Sequence, residues 1–144
     1  MTIEETNLLF QDICGRLLYG VKAKVYGWDE EKGEVEIPLK IYSINMDGYV
    51  QFEANDYDVN YLAVDDCLLY LRPMLSMTMV EKDEYHSLCK YKHEVIPDIE
   101  DIHIYTYYDT VKSIDWLNKK MFDYRGLIPM GLALEAPEGM YKIN

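Results

Sequence analysis

Three side chains that are good zinc ligands recur at short spacing in the chain. His86, Cys89 and His93 are three and four residues apart, so in a helix they would lie near one face. Structural zinc sites, however, take paired ligands from two separate elements, and no second pair occurs in the sequence. His103 is the one further histidine. The alternative interpretation, two surface histidines and a half-buried cysteine, is therefore favoured, and neither a metal nor a cofactor is predicted.

Carboxylates and thiols are present, but their arrangement does not predict a catalytic site. Adjacent strand residues such as Asp65 and Asp66 point to opposite faces, whereas glycosidases and metal-dependent nucleases need carboxylates that converge. Cys14 is predicted on the buried stripe of a helix, and two preceding aspartates are expected to raise the pKa of Cys67. No nucleophile elbow, P-loop or dinucleotide-binding motif occurs. No catalytic residue is predicted, and a protein without enzymatic activity is favoured.

The segment Asp115–Gly126 concentrates residue types that are enriched at interface hot spots. Trp116, Phe122, Tyr124 and Arg125 all lie within it. One interpretation is an exposed aromatic binding face. The other, which is favoured, is a C-terminal helix that docks on the sheet through Trp116 and Phe122, because aromatic residues also dominate core packing. The candidate binding residues are Arg72, Trp116, Tyr124 and Arg125.

Local patterns predict three helices around these residues. Two begin with a capping box, in which a Thr and a Glu three residues later exchange hydrogen bonds with each other's backbone. These pairs are Thr2–Glu5 and Thr78–Glu81. The predicted buried stripe of the first helix consists of Leu9, Phe10, Ile13, Cys14, Leu17 and Leu18. Gly20 is expected to end the first helix, and the second is predicted to run to about Tyr91. A third helix is predicted from Asp109 or Thr110 to Gly126.

Alternating apolar and polar residues between the first two helices predict short antiparallel strands. The alternating runs begin at Val21, Val35, Val50 and Val59. Asp47-Gly48 is a strong hairpin signal. Pro38 has no N–H group for a ladder bond and predicts an edge or a bulge in the second strand.

Three later segments complete the predicted topology. Leu68–Met79 is predicted to leave the sheet, one more strand is predicted over 102–108, and Leu127–Tyr141 is expected to pack as an extended segment. The predicted fold class is α+β, in a single domain over residues 1–144. It consists of a small antiparallel sheet of four to five strands, which a curled or barrel-like form would suit, with one N-terminal helix and two helices in the C-terminal half.

Composition limits the partners of the chain. Its 144 residues include 26 Asp and Glu but only 14 Lys and Arg, for a net charge of −12. This charge argues against direct binding to nucleic acid and against docking on an anionic membrane. It suits solubility or a basic partner. The three cysteines are far apart, the N-terminus is acidic, and no apolar run reaches membrane-spanning length, so a cytoplasmic location is expected.

Several motifs in the C-terminal half identify a resemblance. They are Leu71-Arg72-Pro73-Met74, Ser76-Met77-Thr78, Asp115-Trp116-Leu117-Asn118, the run Phe122–Ile128 and the run Gly131–Tyr141. From about Val64 to Tyr141, and more loosely in its N-terminal helix, the chain resembles a group of short, uncharacterised proteins. That group is widespread in gut Bacteroidetes and in their phages and mobile elements. The resemblance implies no activity, but it implies a phage or prophage context in which small acidic proteins often bind a host protein.

Three functions follow as hypotheses. The first is a non-enzymatic accessory or regulatory protein of phage or prophage type that binds a host or phage protein, which requires an exposed aromatic or apolar patch. The second is an acidic mimic that inhibits a host DNA-binding protein, which requires carboxylates aligned along one face. The third is an enzyme or a binder of a small, nucleotide-like ligand, which requires a pocket with converging polar groups.

Overall fold

Both predicted capping boxes are present at the N-termini of the first two helices. The computed structural model describes residues 1–89, apart from the side chain of Cys89, and residues 111–141. α1 spans Ile3–Arg16 and α2 spans Met79–Cys89, while helical backbone over 111–119 forms α3. In α1 the Thr2 N–H donates to Glu5 Oε2 at 2.8 Å, and the Glu5 N–H donates to Thr2 Oγ1 at 3.1 Å. Thr78 and Glu81 make the same exchange.

The sheet contains six described strands, and most pairs of neighbouring strands in it are antiparallel. The strands are β1 Lys22–Asp29, β2 Gly33–Ile44, β3 Tyr49–Phe52, β4 Tyr61–Ala63, β5 Leu68–Leu71 and β6 Ala133–Glu135. Their order is β4-β3-β2-β1-β5-β6, and only the β5–β6 pair is parallel. The long strand β2 pairs with β1 over Gly33–Lys40 and with β3 over its last residues, from Ile41 to Ile44. A register shift between Ile41 and Ser43 accompanies the change of partner, and the sheet curls into a half-barrel. The predicted fold class is confirmed.

Two segments take part in the sheet differently from the prediction. Leu68–Leu71 does not leave the sheet but forms β5 beside β1. Its sequence is apolar on both faces, so it lacks the alternation that marked the other strands. The tail, predicted as an extended segment, supplies β6 and adds to the edge of β5. The predicted 102–108 strand lies outside the described residues.

The buried face of α1 differs from the predicted stripe. Leu9 and Ile13 pack with the inner residues of the sheet in the main core, as predicted. Cys14, however, is exposed, and Leu18 has 93% of its surface exposed. The remaining buried positions of α1 belong to Asp12 and Arg16, which are fully buried. A stripe defined by apolar residues missed them because each charge is neutralised by a partner within the core.

The third helix ends before Gly126, where the sequence predicted its end. The Phe122 N–H donates to the Leu117 carbonyl at 3.0 Å, and the Met121 N–H donates to the Asn118 carbonyl at 3.1 Å. These two bonds form a Schellman motif, in which Met121 takes the left-handed conformation with φ 63°. Glycine is the usual residue there, so Met121 was not recognised as a helix end. Burial of its side chain in the core offsets the conformational cost.

Tyr141 fastens the tail to the sheet. Its hydroxyl donates to the Tyr70 carbonyl at 2.7 Å and accepts from the Lys22 N–H at 3.0 Å. The hydroxyl therefore joins β1 to β5 one position beyond their last paired residues, Ala23 and Leu69. Burial raises the pKa of Tyr141 to about 12, so the bridge remains protonated across the neutral range.

Gly27 in β1 is required by a close contact with Tyr57. A Cβ atom at this position would lie 2.8 Å from the Cγ and Cδ1 atoms of the Tyr57 ring. We expect Gly27→Ala to lower the free energy of unfolding by about 1–3 kcal/mol, the usual cost of overpacking, when measured by urea denaturation. In a Tyr57→Gly background the same substitution should cost much less, because the Cβ, Cγ and Cδ1 atoms of Tyr57, all within 3 Å of the added methyl group, are then gone. Equal costs in both backgrounds would show that the ring does not set the requirement.

Candidate functional site

Arg72 lies at the end of β5 and is held by Glu81 of α2. Its Nη1 and Nη2 atoms each donate to one Glu81 carboxylate oxygen at 2.8 Å. Only 15% of the Arg72 side chain and 8% of the Glu81 side chain are exposed. The hydrogen bonds from Arg72, supported by the Thr78 N–H, lower the pKa of Glu81 to about 2. One carboxylate therefore both caps α2 and neutralises Arg72.

Trp116 is half-buried, and its indole stacks on the ring of Phe122 with 5.7 Å between the ring centroids. The Arg72 guanidinium lies over the same Phe122 ring, with Cζ 4.2 Å from its centroid. The Trp116 Nε1–H donates to a Glu84 carboxylate oxygen at 3.2 Å. Phe122 is fully buried in a second core cluster with Leu117 and Met77. The contacts of Trp116 thus fasten α3 to α2.

Tyr124 is half-buried, and the guanidinium groups of two arginines lie near its ring. The Cζ atoms of Arg16 and Arg125 lie 5.1 and 5.2 Å from the Tyr124 ring centroid. Arg125 Nε also lies 3.2 Å from a carboxylate oxygen of Asp12. The Tyr124 hydroxyl donates to Asn118 Oδ1 at 2.9 Å. Tyr124 and Arg125 therefore join α1 to the end of α3.

Three of the four candidate binding residues, Arg72, Trp116 and Tyr124, lie around Phe122, and Arg125 contacts Tyr124. The Phe122 ring contacts Arg72 and Trp116, and the Phe122 carbonyl accepts a 2.7 Å bond from Arg16, which lies over Tyr124. All four side chains make contacts within the chain itself. A role in binding for Arg72, Trp116, Tyr124 and Arg125 stays a prediction.

Groups with other chemistry in the described part of the chain do not form a reactive site. Burial, and to a smaller extent the charge of Asp66, raises the pKa of Cys67 to about 12. The direction is the predicted one, but the main cause is burial and not the neighbouring aspartates. Residues 1–89 and 111–141 hold no group of three His, Cys, Asp or Glu side chains placed for a metal. Of the predicted metal trio, His86 is exposed, whereas His93 and the Cys89 side chain lie outside the described residues. Within the same ranges, no helix is long and apolar enough to cross a membrane.

A pocket of about 390 Å³ lies between the end of β5 and the tail. Its lining consists of Arg72, Pro73, Ser76, Thr78, Tyr141 and the segment 135–139. This volume falls in the range of small-ligand sites. The charged groups, however, do not converge on one position: Arg72 is paired with Glu81, and Glu135 and Glu138 are exposed on the tail. The pocket offers no nucleophile with an adjacent base.

Aromatic side chains are exposed instead on the outer face of the β1–β2 hairpin. Tyr26 has 53% and Trp28 has 71% of its surface exposed, although both rings are large apolar groups. Their cross-strand partners are Glu36 and Glu34, respectively. Directly opposed side chains of an antiparallel pair lie about 5 Å apart at Cβ, so each ring has a carboxylate beside it.

A lysine already occupies the first of these two ring and carboxylate pairs. Lys24 Nζ lies 5.2 Å from the Tyr26 ring centroid and 3.6 Å from Glu36 Oε1. The Trp28–Glu34 pair lies two residues nearer the hairpin turn and has the same register. A second aromatic pair, Tyr49 and Tyr61, lies on β3 and β4 with its rings edge to face at 5.9 Å.

The outer face of β1 was not selected from the sequence, although a signal for it exists. The alternation that places Ala23 and Val25 inside also places Tyr26 and Trp28 outside once the strand is extended to Asp29. Comparison of the chain with protein-family models, with curated proteins and with solved structures finds no match.

Proposed function

We propose that this chain is a non-enzymatic accessory protein that binds a partner protein through the outer face of its β1–β2 hairpin. The observation that carries the proposal is the exposure of Trp28 and Tyr26 on the continuously paired β1–β2 hairpin. Trp and Tyr contribute most to binding at interface centres, and removal of an exposed indole from water by a partner is favourable. The resemblance to short proteins of gut Bacteroidetes and their phages agrees with a role as an accessory factor.

The C-terminal aromatic segment supports this assignment indirectly. Phe122 is fully buried, and Trp116 and Tyr124 are half-buried with partners inside the chain. Their contacts hold α1, α2 and α3 together, so the segment packs inside the chain, although Trp116 docks on α2 and not on the sheet as the docking interpretation had it. The exposed rings of β1 make a better hot spot because they retain more of their surface for a partner.

The acidic-mimic hypothesis has less support from the same face. The outward residues of β2 run Glu34, Glu36, Pro38 and Lys40. The row of carboxylates stops after two positions and is followed by a proline and a positive charge. A mimic of a DNA backbone needs a longer row of negative charge.

Trp28→Ala is expected to reduce recovery of the bound partner at least about 10-fold, as removal of an interface hot spot does. The measurement is affinity capture with the tagged chain from a lysate of a gut Bacteroidetes host, with partner recovery quantified by mass spectrometry. Leu75→Ala is the matched control, because Leu75 is also a large exposed apolar residue but lies outside the hairpin. Equal recovery with Trp28→Ala and Leu75→Ala would contradict the proposal.

A further inference from the structure

We infer that the Trp28–Glu34 pair receives a lysine or arginine side chain from a basic segment of the partner protein. The inference rests on the proposed function and names the chemistry of the partner. The Trp28–Glu34 pair lies on the outer face of the hairpin, next to the Tyr26–Glu36 pair, which already holds a lysine of the same chain.

The Tyr26–Glu36 pair is a cation site that Lys24 fills. There a ring and a carboxylate from adjacent strands, Tyr26 and Glu36, hold one ammonium group at 5.2 Å from the ring centroid and 3.6 Å from the oxygen. A ring face attracts a cation through its quadrupole, and a neighbouring carboxylate adds an ion pair. The chain thus shows on its own surface how such a pair accommodates a long basic side chain.

The second pair has the same register and no occupant among the described residues. Trp28 and Glu34 are directly opposed in register, as Tyr26 and Glu36 are. Within residues 1–89 and 111–141, neither side chain has a hydrogen bond, an ion pair or a ring contact. Of the aromatic side chains, Trp binds cations most strongly through its ring face, whereas at the first pair Tyr26 also interacts with Lys24 by a side-chain hydrogen bond.

Local charge favours a basic partner over an acidic or a neutral one. Residues 28–36 carry five carboxylates and a single lysine, Lys32. Asp29 holds the turn by accepting from the Glu31 and Lys32 N–H groups at 2.8 and 2.9 Å. A fixed turn of this sign attracts basic segments over a distance of about 10 Å at moderate salt and repels nucleic acid.

The test uses an acetylated hexapeptide of alternating Arg and Gly as the probe, and the same peptide with Gln in place of Arg as its neutral counterpart. Binding is followed by NMR through the indole N–H signals of Trp28 and Trp116, assigned with a Trp28→Phe variant. We expect the Arg peptide to shift the Trp28 signal and to leave the Trp116 signal unchanged. The Gln peptide should shift neither signal.

Two variants with the same change in net charge separate specific binding from bulk attraction. Glu34→Gln is expected to lower the affinity for the Arg peptide about 5-fold, since it removes the carboxylate beside the ring. Glu138→Gln removes an exposed carboxylate of the tail and should change the affinity less than 2-fold, because a distant surface charge is screened. Equal weakening by both variants, or a Trp28 signal that does not move, would overturn the inference.

The outcomes also separate this inference from the proposed function. If Trp28→Ala abolishes partner capture while the Arg peptide leaves the Trp28 signal in place, the hairpin binds a partner but not through a basic side chain. If the peptide binds at Trp28 and weakens with Glu34→Gln, whereas capture is unchanged by Trp28→Ala, the cation site stands and the proposed function fails.

Discussion

Asp12→Ala is expected to cause the largest loss of stability of any substitution considered for this chain, about 3–5 kcal/mol. Asp12 is fully buried, and its carboxylate accepts from Arg16 Nε at 2.8 Å and from Arg16 Nη2 at 3.1 Å. Arg16 is fully buried as well, and Arg125 shares the same carboxylate. Alanine would leave a buried guanidinium without a counter-charge, and desolvation of that charge is the main cost.

Urea denaturation monitored by circular dichroism measures this loss. Asp66→Ala, which removes an exposed aspartate, is the matched control and should change the free energy of unfolding by less than about 0.5 kcal/mol. A double variant, Asp12→Leu with Arg16→Met, should recover most of the loss because both buried charges are then removed. A loss below about 1 kcal/mol in Asp12→Ala would mean that water reaches Arg16 and that the pair is not a buried one.

Local signals in the sequence were enough to predict most elements. Thr2 with Glu5 and Thr78 with Glu81 mark helix starts because each pair satisfies backbone groups within four residues. The Asp47-Gly48 turn joins β2 to β3 because Gly48 takes a positive φ of 85°. These features depend only on neighbours in the chain, so the sequence carries them in full.

Features that depend on distant partners were missed. β5 is recognised only once β1 and β6 lie on either side of it, because its own residues do not alternate. Arg16 looks like a surface residue of α1 until Asp12 and the carbonyl of Phe122, 106 positions away, are seen to bind it. Met121 can end α3 only because the core buries its side chain.

In the candidate site, too, the residue types were recognised from the sequence, whereas the contacts between distant residues were not. Trp116 and Phe122 were recognised by residue type, but type alone does not decide between a core and an interface. Their partners decide it: Phe122 lies between Arg72 and Trp116, and each of these is tied to α2. The exposed face of Tyr26 and Trp28 follows from strand alternation but requires β1 to continue to Asp29, beyond the alternating apolar residues Val21, Ala23 and Val25.

The ion pair between Arg72 and Glu81 should make the stability of the chain depend on pH in the acidic range. The folded state lowers the pKa of Glu81 from an ordinary value of 4.5 to about 2. Folding therefore favours the ionised carboxylate. Its contribution is complete above pH 4.5 and is lost as the pH falls through about 2, because protonation then breaks both bonds to Arg72.

Glu81→Gln should accordingly lower the free energy of unfolding by about 3 kcal/mol at pH 7, the cost of leaving Arg72 without its counter-charge in a mostly buried position. The difference between wild type and variant should shrink as the pH is lowered from 5 to 2, when the wild-type carboxylate also becomes neutral. Asp83→Asn, an exposed position on the same helix, provides the control, since its difference from wild type should stay small at every pH. Urea denaturation at several pH values measures both differences. A Glu81→Gln difference that stays constant down to pH 2 would show that the folded state does not lower the pKa of this carboxylate, and the structural role assigned to its pair with Arg72 would then fail.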